Sequence, residues 1–347
     1  FAPDALGAKT SGFIEAEFFG NINQNINVFR LRHAYVKLNW PKTEFLAGQT
    51  WHPMFSPLCF PNTVSFNTGV MFAVFSRNPQ LRITQTFGHF SISAAALSQI
   101  DFTSTGPDGP SSKYARNAAV PEMDIQLMYR KKDDATGREF LVGAGMNYLV
   151  LLPRLSSNVT TRNAIDTVIN GIVIHQPAIT ASYKTDQTIS AFSWNVMAKL
   201  VLKKVSFKAG GFYGQNAYGY CLLGGYAVKS VTDPAKGIVE YANLRTITAW
   251  GEIASTGKKW QPAIFAGFSR NLGIGEPVAG PYYARGNDID YLYRISPRLI
   301  RDFNKFRISG ELEYTVAAYG KTNGSGYVYN SEEVGNLRVL IGVYYFF

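Results

Sequence analysis

The chain has 347 residues, 17% of them charged and 14% aromatic, with a formal net charge of +10. The charged fraction is low against the ~25% of an ordinary soluble domain, yet no run of ~18 apolar residues offers a membrane-crossing helix. "FAPDALGAKT" shows no basic and then apolar leader, which is compatible with a mature, processed product and does not argue for the cytoplasm.

Past the first ten residues, apolar and polar positions alternate with period two along almost the whole chain. A first strand carries Glu15 and Glu17 on one face, and a second, within "FRLRHAYVKLNW" (29–40), carries Arg30 and Arg32. "PNTVSFNTGVMFAVF" (61–75) breaks the pattern. With Phe55, Phe60, Phe66, Phe72 and Phe75 it is too aromatic for a loop in water. It reads either as an extra strand pair or as a segment folded inward to narrow a barrel, its rings packed in the mouth or in a subunit contact. "RNPQLRITQTFG" (77–88) brings Arg82. "MDIQLMYR" (123–130) sets Met123, Ile125, Leu127 and Tyr129 against Asp124, Gln126, Met128 and Arg130. "FLVGAGMNY" (140–148) opposes a large apolar face to one of Leu141, Gly143, Gly145 and Asn147. "TTRNAIDTVINGIVI" (160–174) has room for a short helix. "SAFSWNVMAKL" (190–200) sets Phe192, Trp194 and Val196 against Ser193, Asn195 and Lys199, and Lys208 and Arg294 follow on later strands. "FRISGELEYTV" (306–316) places Glu311 and Glu313 together, and "LRVLIGVYYFF" (337–347) is apolar in both registers except at Arg338.

The connections alternate as well. Short charged turns fall at 39–44, 86–90, 131–139, 202–206, 255–260 and 301–306. Long Gly-, Pro-, Asn- and Ser-rich loops fall at roughly 52–78, 100–121, 150–187, 215–243, 272–288 and 320–335. Strands of about ten residues joined in this way predict an all-β fold: a transmembrane antiparallel up-and-down β-barrel of about 14 to 16 strands, both termini on the short-turn side. Residues 1–10 would be a periplasmic segment and 11–347 a single barrel domain. A soluble sandwich would carry more Lys and Glu on its polar faces. A propeller would show a repeat of ~40–50 residues, which is absent.

Most of the positive surplus falls in the short turns, so the net charge alone does not make an anion-selective lumen. The lumen charges are grouped. If the barrel closes first strand to last, the order around the wall is Glu311/Glu313, Arg338, Glu15/Glu17, Arg30/Arg32, a ladder of opposite charges. Arg82, Arg130, Lys199, Lys208 and Arg294 have fewer acidic neighbours in this arrangement. They are the better candidates for holding a passing carboxylate.

Three stretches, "FRLRHAYVKLNW", "FLAGQTWHPMF" (45–55) and "RNPQLRITQTFG", resemble DcaP-like outer-membrane porins, in which an Arg-x-Arg strand leads to a Gly-Gln-Thr-Trp strand and an Arg-x-Pro-Gln-x-Arg strand. "GGFYGQNAYGYCLLGGYAV" (210–228) is similar to a Tyr- and Gly-rich segment of related porins. The resemblance implies a 16-stranded, trimeric porin of the bacterial outer membrane that passes small anionic solutes such as dicarboxylates, with Arg30, Arg32 and Arg82 in the lumen. Members of the family can carry an N-terminal coiled coil that helps hold the trimer, and "FAPDALGAKT" shows no heptads.

No arrangement for catalysis emerges. His33, His52, His89 and His175 stand at no ligand spacing, no phosphate loop or Gly-x-Ser-x-Gly elbow occurs, and Cys59 and Cys221 read as one disulfide or two free thiols. The expectation is a cofactor-free porin for small hydrophilic solutes, anions favoured. Its partners are outer-membrane lipid and lipopolysaccharide, its own copies in a homotrimer, and no nucleic acid. The alternatives are a substrate-specific channel, for instance for sugars, and a surface barrel with a plugged lumen.

Overall fold

A computed structural model of the chain describes residues 4–18, 27–65, 67–169 and 172–347. The strands are β1 (Lys9–Glu17), β2 (Arg30–Asn39), β3 (Thr43–Trp51), β4 (Arg77–Phe87), β5 (Phe90–Leu97), β6 (Glu122–Lys132), β7 (Glu139–Leu151), β8 (Ser156–Arg162), β9 (Ile165–Ile169), β10 (Ile172–Gln176), β11 (Ile179–Lys184), β12 (Ile189–Val201), β13 (Val205–Gln215), β14 (Gly224–Asp233), β15 (Ile238–Ser255), β16 (Trp260–Asn271), β17 (Tyr282–Arg285), β18 (Ile289–Phe303), β19 (Phe306–Thr322) and β20 (Val328–Tyr345). Fourteen of them form one antiparallel sheet in the order β1-β2-β3-β4-β5-β6-β7-β12-β13-β15-β16-β18-β19-β20, and β14 and β17 bring that sheet to sixteen. This is the wall of an outer-membrane-type β-barrel.

The strands form where the alternation predicts. On β12 the large side chains Phe192, Trp194 and Val196 are exposed while Ser193 and Asn195 are buried. On β6 and β7 Met123, Ile125, Leu127, Phe140 and Val142 face out, and Leu141 and Asn147 are buried. Large apolar groups outside and small or polar groups inside invert the order of a water-soluble protein. They suit a sheet whose outer solvent is lipid. Lys9 pairs with Asn39 beside one short turn and Tyr345 with Phe306 beside another, so both ends of the sheet lie at the short-turn rim.

The long connections depart from expectation in three places. Within 160–174 the described residues, 160–169 and 172–174, are extended rather than helical: β10 pairs with β9, and β11 with β8, in a hairpin apart from the wall. Its β-branched residues (Thr160, Thr161, Thr167, Val168, Val173, Ile174) favour the pleated backbone. The stretch 215–243 is not a loop throughout. β14 pairs with the upper part of β15 and with β17, prolonging the sheet beyond β13. At 320–335 the strands continue and only 323–327 turns. A single turn of helix, α1 (Lys113–Asn117), interrupts the loop after β5 and buries Tyr114.

The described residues of the segment 52–76, between β3 and β4, form no strand of the wall and run inside the sheet. Several of its backbone polar groups are satisfied by wall side chains. The N–H of Asn62 donates to Glu252 at 2.7 Å and that of Val64 to Glu311 at 2.8 Å. The carbonyl of Phe60 accepts from Lys208 (3.1 Å), that of Val70 from Arg294 (2.9 Å) and that of Phe72 from Thr248 (2.8 Å). Irregular backbone at membrane depth is tolerated only inside protein or against a water-filled space, and this network supplies the first condition. It reaches far around the wall: His52, at its start, bonds Glu122 on β6, and Ser65, midway along it, bonds Arg338 on β20. The sheet therefore curls around the segment. Among the described residues no backbone pairing joins β1 to β20.

Candidate functional site

The acid–base ladder forms in two separate halves. On β1 and β2, Arg30 pairs with Glu17, and Arg32 reaches Glu15 and Glu17 at 3.0 Å each. Arg30 also meets Asp101 at 3.4 Å, and the buried Arg77 holds the same carboxylate at 2.9 Å, its guanidinium 4.9 Å from the Trp51 ring centroid. On β19 and β20, Arg338 lies 3.0 Å from Glu313 and bonds the Ser65 hydroxyl of the inward segment. Arg338 thus faces the interior. Among the described residues no ion pair joins Arg338 to the β1 acids.

The five cations expected to be short of acidic partners each have one. Arg130 and Lys199 share Glu139, both at 2.7 Å. Lys208 is 3.2 Å from Glu252, and Arg294 is 3.5 Å from Glu313. Arg82 makes the loosest pair, 3.9 Å from Glu44. The register explains the difference from expectation, because Lys208 stands directly opposite Glu252 across β13 and β15. A charge in a protein wall is stable when a counter-charge stands within reach.

Two residues outside the expected set complete the network that holds the inward segment. Arg298 on β18 binds Glu252 at 2.9 Å, so Glu252 joins Lys208, Arg298 and the Asn62 backbone. The signal was present in the alternation. Arg298 stands four residues from Arg294 on one face of β18, and Glu252 shares its face with Thr246 and Thr248 on β15. Glu311, expected as a rung of the ladder, instead receives the backbone N–H groups of Val64 and Ser65.

His52 is fully buried and acts as an anchor: Nε2 lies 3.0 Å from Glu122, and Nδ1 accepts the Met54 N–H at 3.2 Å. The same carboxylate accepts the Tyr220 hydroxyl at 2.6 Å. Tyr220 sits in a 3-10 turn, Ala217–Tyr220, and its carbonyl accepts the Phe75 N–H. Two inward stretches are thereby tied to one point on β6. Apolar packing does the rest. Phe72 is fully buried among Trp250, Phe265 and Leu141. Of the five phenylalanines expected in this region, Phe66 lies outside the described residues. Cys59 and Cys221 are both buried and unpaired.

Water space remains on either side of the segment. Toward the short-turn rim lies a cavity of about 540 Å³ between residues 60–64 and the wall. Its charged lining consists of Lys199, Lys208, Arg298 and Arg307, all cations. Their partners Glu139, Glu252 and Asp302 stand outside the lining. A second cavity of about 310 Å³ lies against β1–β4, lined by Phe13, Glu15, Tyr35, Lys37, Trp51 and Arg82 among others.

No family model matches the sequence, and no curated protein matches it. Solved structures do. An anion-selective porin from Comamonas acidovorans aligns over 98% of this chain and 85% of its own, with 10% identity and a TM-score of 0.51. The in-vitro-folded outer-membrane protein OmpT of Vibrio cholerae aligns over 96% and 84% at 10% identity and 0.48, and OccAB1 of Acinetobacter baumannii over 90% and 72% at 9% and 0.36. The first of these likenesses supports the outer-membrane barrel fold. Such low identities speak of fold alone.

Proposed function

We propose that the chain forms a passive, water-filled channel in a bacterial outer membrane, admitting small hydrophilic solutes and favouring anions such as carboxylates. The observation that carries this reading is the 540 Å³ cavity beneath the inward segment, whose charged lining is wholly cationic. A carboxylate entering it meets Lys199, Lys208, Arg298 and Arg307 from several strands. Their own counter-charges hold them in place without filling the space. Paired cations attract a solute weakly, which conduction requires, because a solute held tightly does not leave. Arg30, Arg32, Arg82, Arg130, Arg294 and Arg338, with Glu15, Glu17, Glu311 and Glu313, shape the field along the rest of the path. No turnover chemistry and no cofactor enters this reading. The homotrimer implied by the DcaP-like resemblance is the proposed assembly.

Conductance across a planar bilayer tests the reading. Discrete ohmic steps, with a reversal potential in a KCl gradient displaced toward the chloride potential, are the expected result. Folded protein without conductance would favour a plugged surface barrel, and a cation preference would overturn the role of the cationic cavity. A band about three times heavier before boiling than after tests the trimer.

A further inference from the structure

The cavity toward the short-turn rim presents two sets of polar groups with opposite hydrogen-bonding roles. The first set is cationic. Lys199 and Lys208 stand directly opposite each other across β12 and β13, and both line the same water space. Like charges so placed repel. An ammonium has three donors. Lys199 spends one on Glu139 at 2.7 Å, while Lys208 gives one to the Phe60 carbonyl at 3.1 Å and faces Glu252 at 3.2 Å. Donors are left over on both. Arg298 adds a third cation, 2.9 Å from Glu252. The acids nearby do not cancel this charge. Arg130, Lys199, Lys208, Arg298 and Arg307 share only Glu139, Glu252 and Asp302. Glu311, opposite Arg298 in the register, has its oxygens taken up by the N–H groups of Val64 and Ser65.

The second set consists of hydroxyls whose protons are already used. Ser206 donates to the Ala254 carbonyl at 3.3 Å, Thr256 to that of Lys203 at 2.9 Å, Ser309 to that of Gly342 at 3.3 Å and Thr63 to that of Ser65 at 2.8 Å. A hydroxyl carries one proton and two lone pairs, so each of the four offers the cavity an acceptor. Ser206 shares a face of β13 with Lys208, two residues nearer the short turn, and Thr256 lies in the turn between β15 and β16. An anionic oxygen therefore finds donors at the ammoniums and only acceptors at these hydroxyls. A ligand that satisfies both sets has concentrated negative charge at one end and hydroxyl donors on the rest.

Resting on the channel reading, we propose that this cavity is a binding site for sugar phosphates. The phosphoryl group, whose second ionisation lies near pH ~6, is largely a dianion at neutral pH. It bridges Lys199 and Lys208, accepts their spare donors and relieves their repulsion. The sugar hydroxyls donate to Ser206, Thr256, Ser309 and Thr63. A sugar carboxylate brings a single charge to two ammoniums, and orthophosphate brings the charge without the row of hydroxyl donors. The cavity volume, about 540 Å³, falls within the range of ligand pockets, ~300–1,000 Å³.

Calorimetric titration of the detergent-folded protein at neutral pH reads binding whether or not the channel conducts. The probes are glucose-6-phosphate, glucuronate and orthophosphate. Glucose-6-phosphate should bind about tenfold more tightly than either of the others, as expected for one further hydrogen bond to a charged group or for two neutral ones. In Lys199→Gln/Lys208→Gln the preference over glucuronate should disappear, while Glu139 keeps Arg130 and Glu252 keeps Arg298. Ser206→Ala should weaken glucose-6-phosphate about fivefold and leave orthophosphate unchanged, whereas a merely structural loss would weaken both. Heat-modifiable migration verifies that the variants are folded. In the unaltered protein, no heat from glucose-6-phosphate, or binding no tighter than that of glucuronate or of orthophosphate, overturns the site while leaving the channel reading intact. Absent conductance combined with the expected titrations overturns the channel and not the site.

Discussion

The ring of Phe72 rests on Gly267 of β16 so closely that a Cβ at position 267 would stand 2.4 Å from the ring. The glycine is a flat seat for the inward segment. Gly267→Ala must push the ring or the wall aside, which for over-packing costs about 1–3 kcal/mol. Phe72→Ala leaves a cavity and costs about 3–5 kcal/mol. The double variant should lose less than the sum of the two, because each change relieves the other. The temperature at which heat-modifiable migration is lost reads all three. Strict additivity would mean that the ring does not sit on residue 267.

Glu311 holds the tip of the same segment by accepting the N–H groups of Val64 at 2.8 Å and Ser65 at 3.3 Å. Glu311→Ala removes both acceptors and leaves two backbone donors unpaired, at about 1–3 kcal/mol each when buried. The tip should detach, giving larger and noisier single-channel currents. Glu311→Gln keeps one acceptor oxygen and should lie between wild type and alanine. Currents indistinguishable from wild type in Glu311→Ala would show that the tip is not what narrows the path.

The wall was legible in the sequence and the interior was not, for a physical reason. Alternation and short charged turns are local signals, and the bilayer enforces them on every crossing strand, so β6, β7, β12 and β19 fall where "MDIQLMYR", "FLVGAGMNY", "SAFSWNVMAKL" and "FRISGELEYTV" predict. Above the bilayer that enforcement ends. The turn-forming residues Asn323, Gly324, Ser325 and Gly326 suggest a long loop at 320–335, although β19 and β20 run up to them as polar strands. The aromatic excess of 52–76 suggested an inward fold as one option. Its anchors on Glu252, Thr248, Arg294 and Glu311 are 176 to 247 residues away, and no local pattern encodes such contacts. For the same reason the inner cations looked less paired than they are.

On the channel reading, anion preference should depend on lumen cations and not on rim cations. In Lys199→Gln/Lys208→Gln, Glu139 keeps Arg130 and Glu252 keeps Arg298, so the wall retains its pairs. The double variant should lower the chloride-to-potassium permeability ratio by about fivefold, the factor given by ~1 kcal/mol between unit charges 4 Å apart in water. Arg82→Ala should act in the same direction. Lys259→Ala, in the turn between β15 and β16, should have a smaller effect, and that effect should vanish at 1 M salt, where screening acts over ~3 Å. Equal effects of Lys259→Ala and Arg82→Ala would place the selectivity at the rim.

Cys59 reports on whether the segment stays against the wall. Its thiol donates to the Ala198 carbonyl at 3.3 Å, and burial pushes its pKa up to about 11. Burial raises Cys221, near the 3-10 turn, to about 11 as well. Because the shift is upward, both are neutral thiols through the physiological range and become thiolates only as pH rises toward that value. At pH 7.5 hardly any of either thiol is in the reactive thiolate form. Neither cysteine should react with a maleimide in the folded protein, and both should react after heat unfolding. Glu311→Ala, by freeing the segment, should speed labelling of Cys59 and leave Cys221 slow. Rapid labelling of Cys59 in the unaltered, folded protein would mean that the segment leaves the wall spontaneously and that the constriction is a moving one.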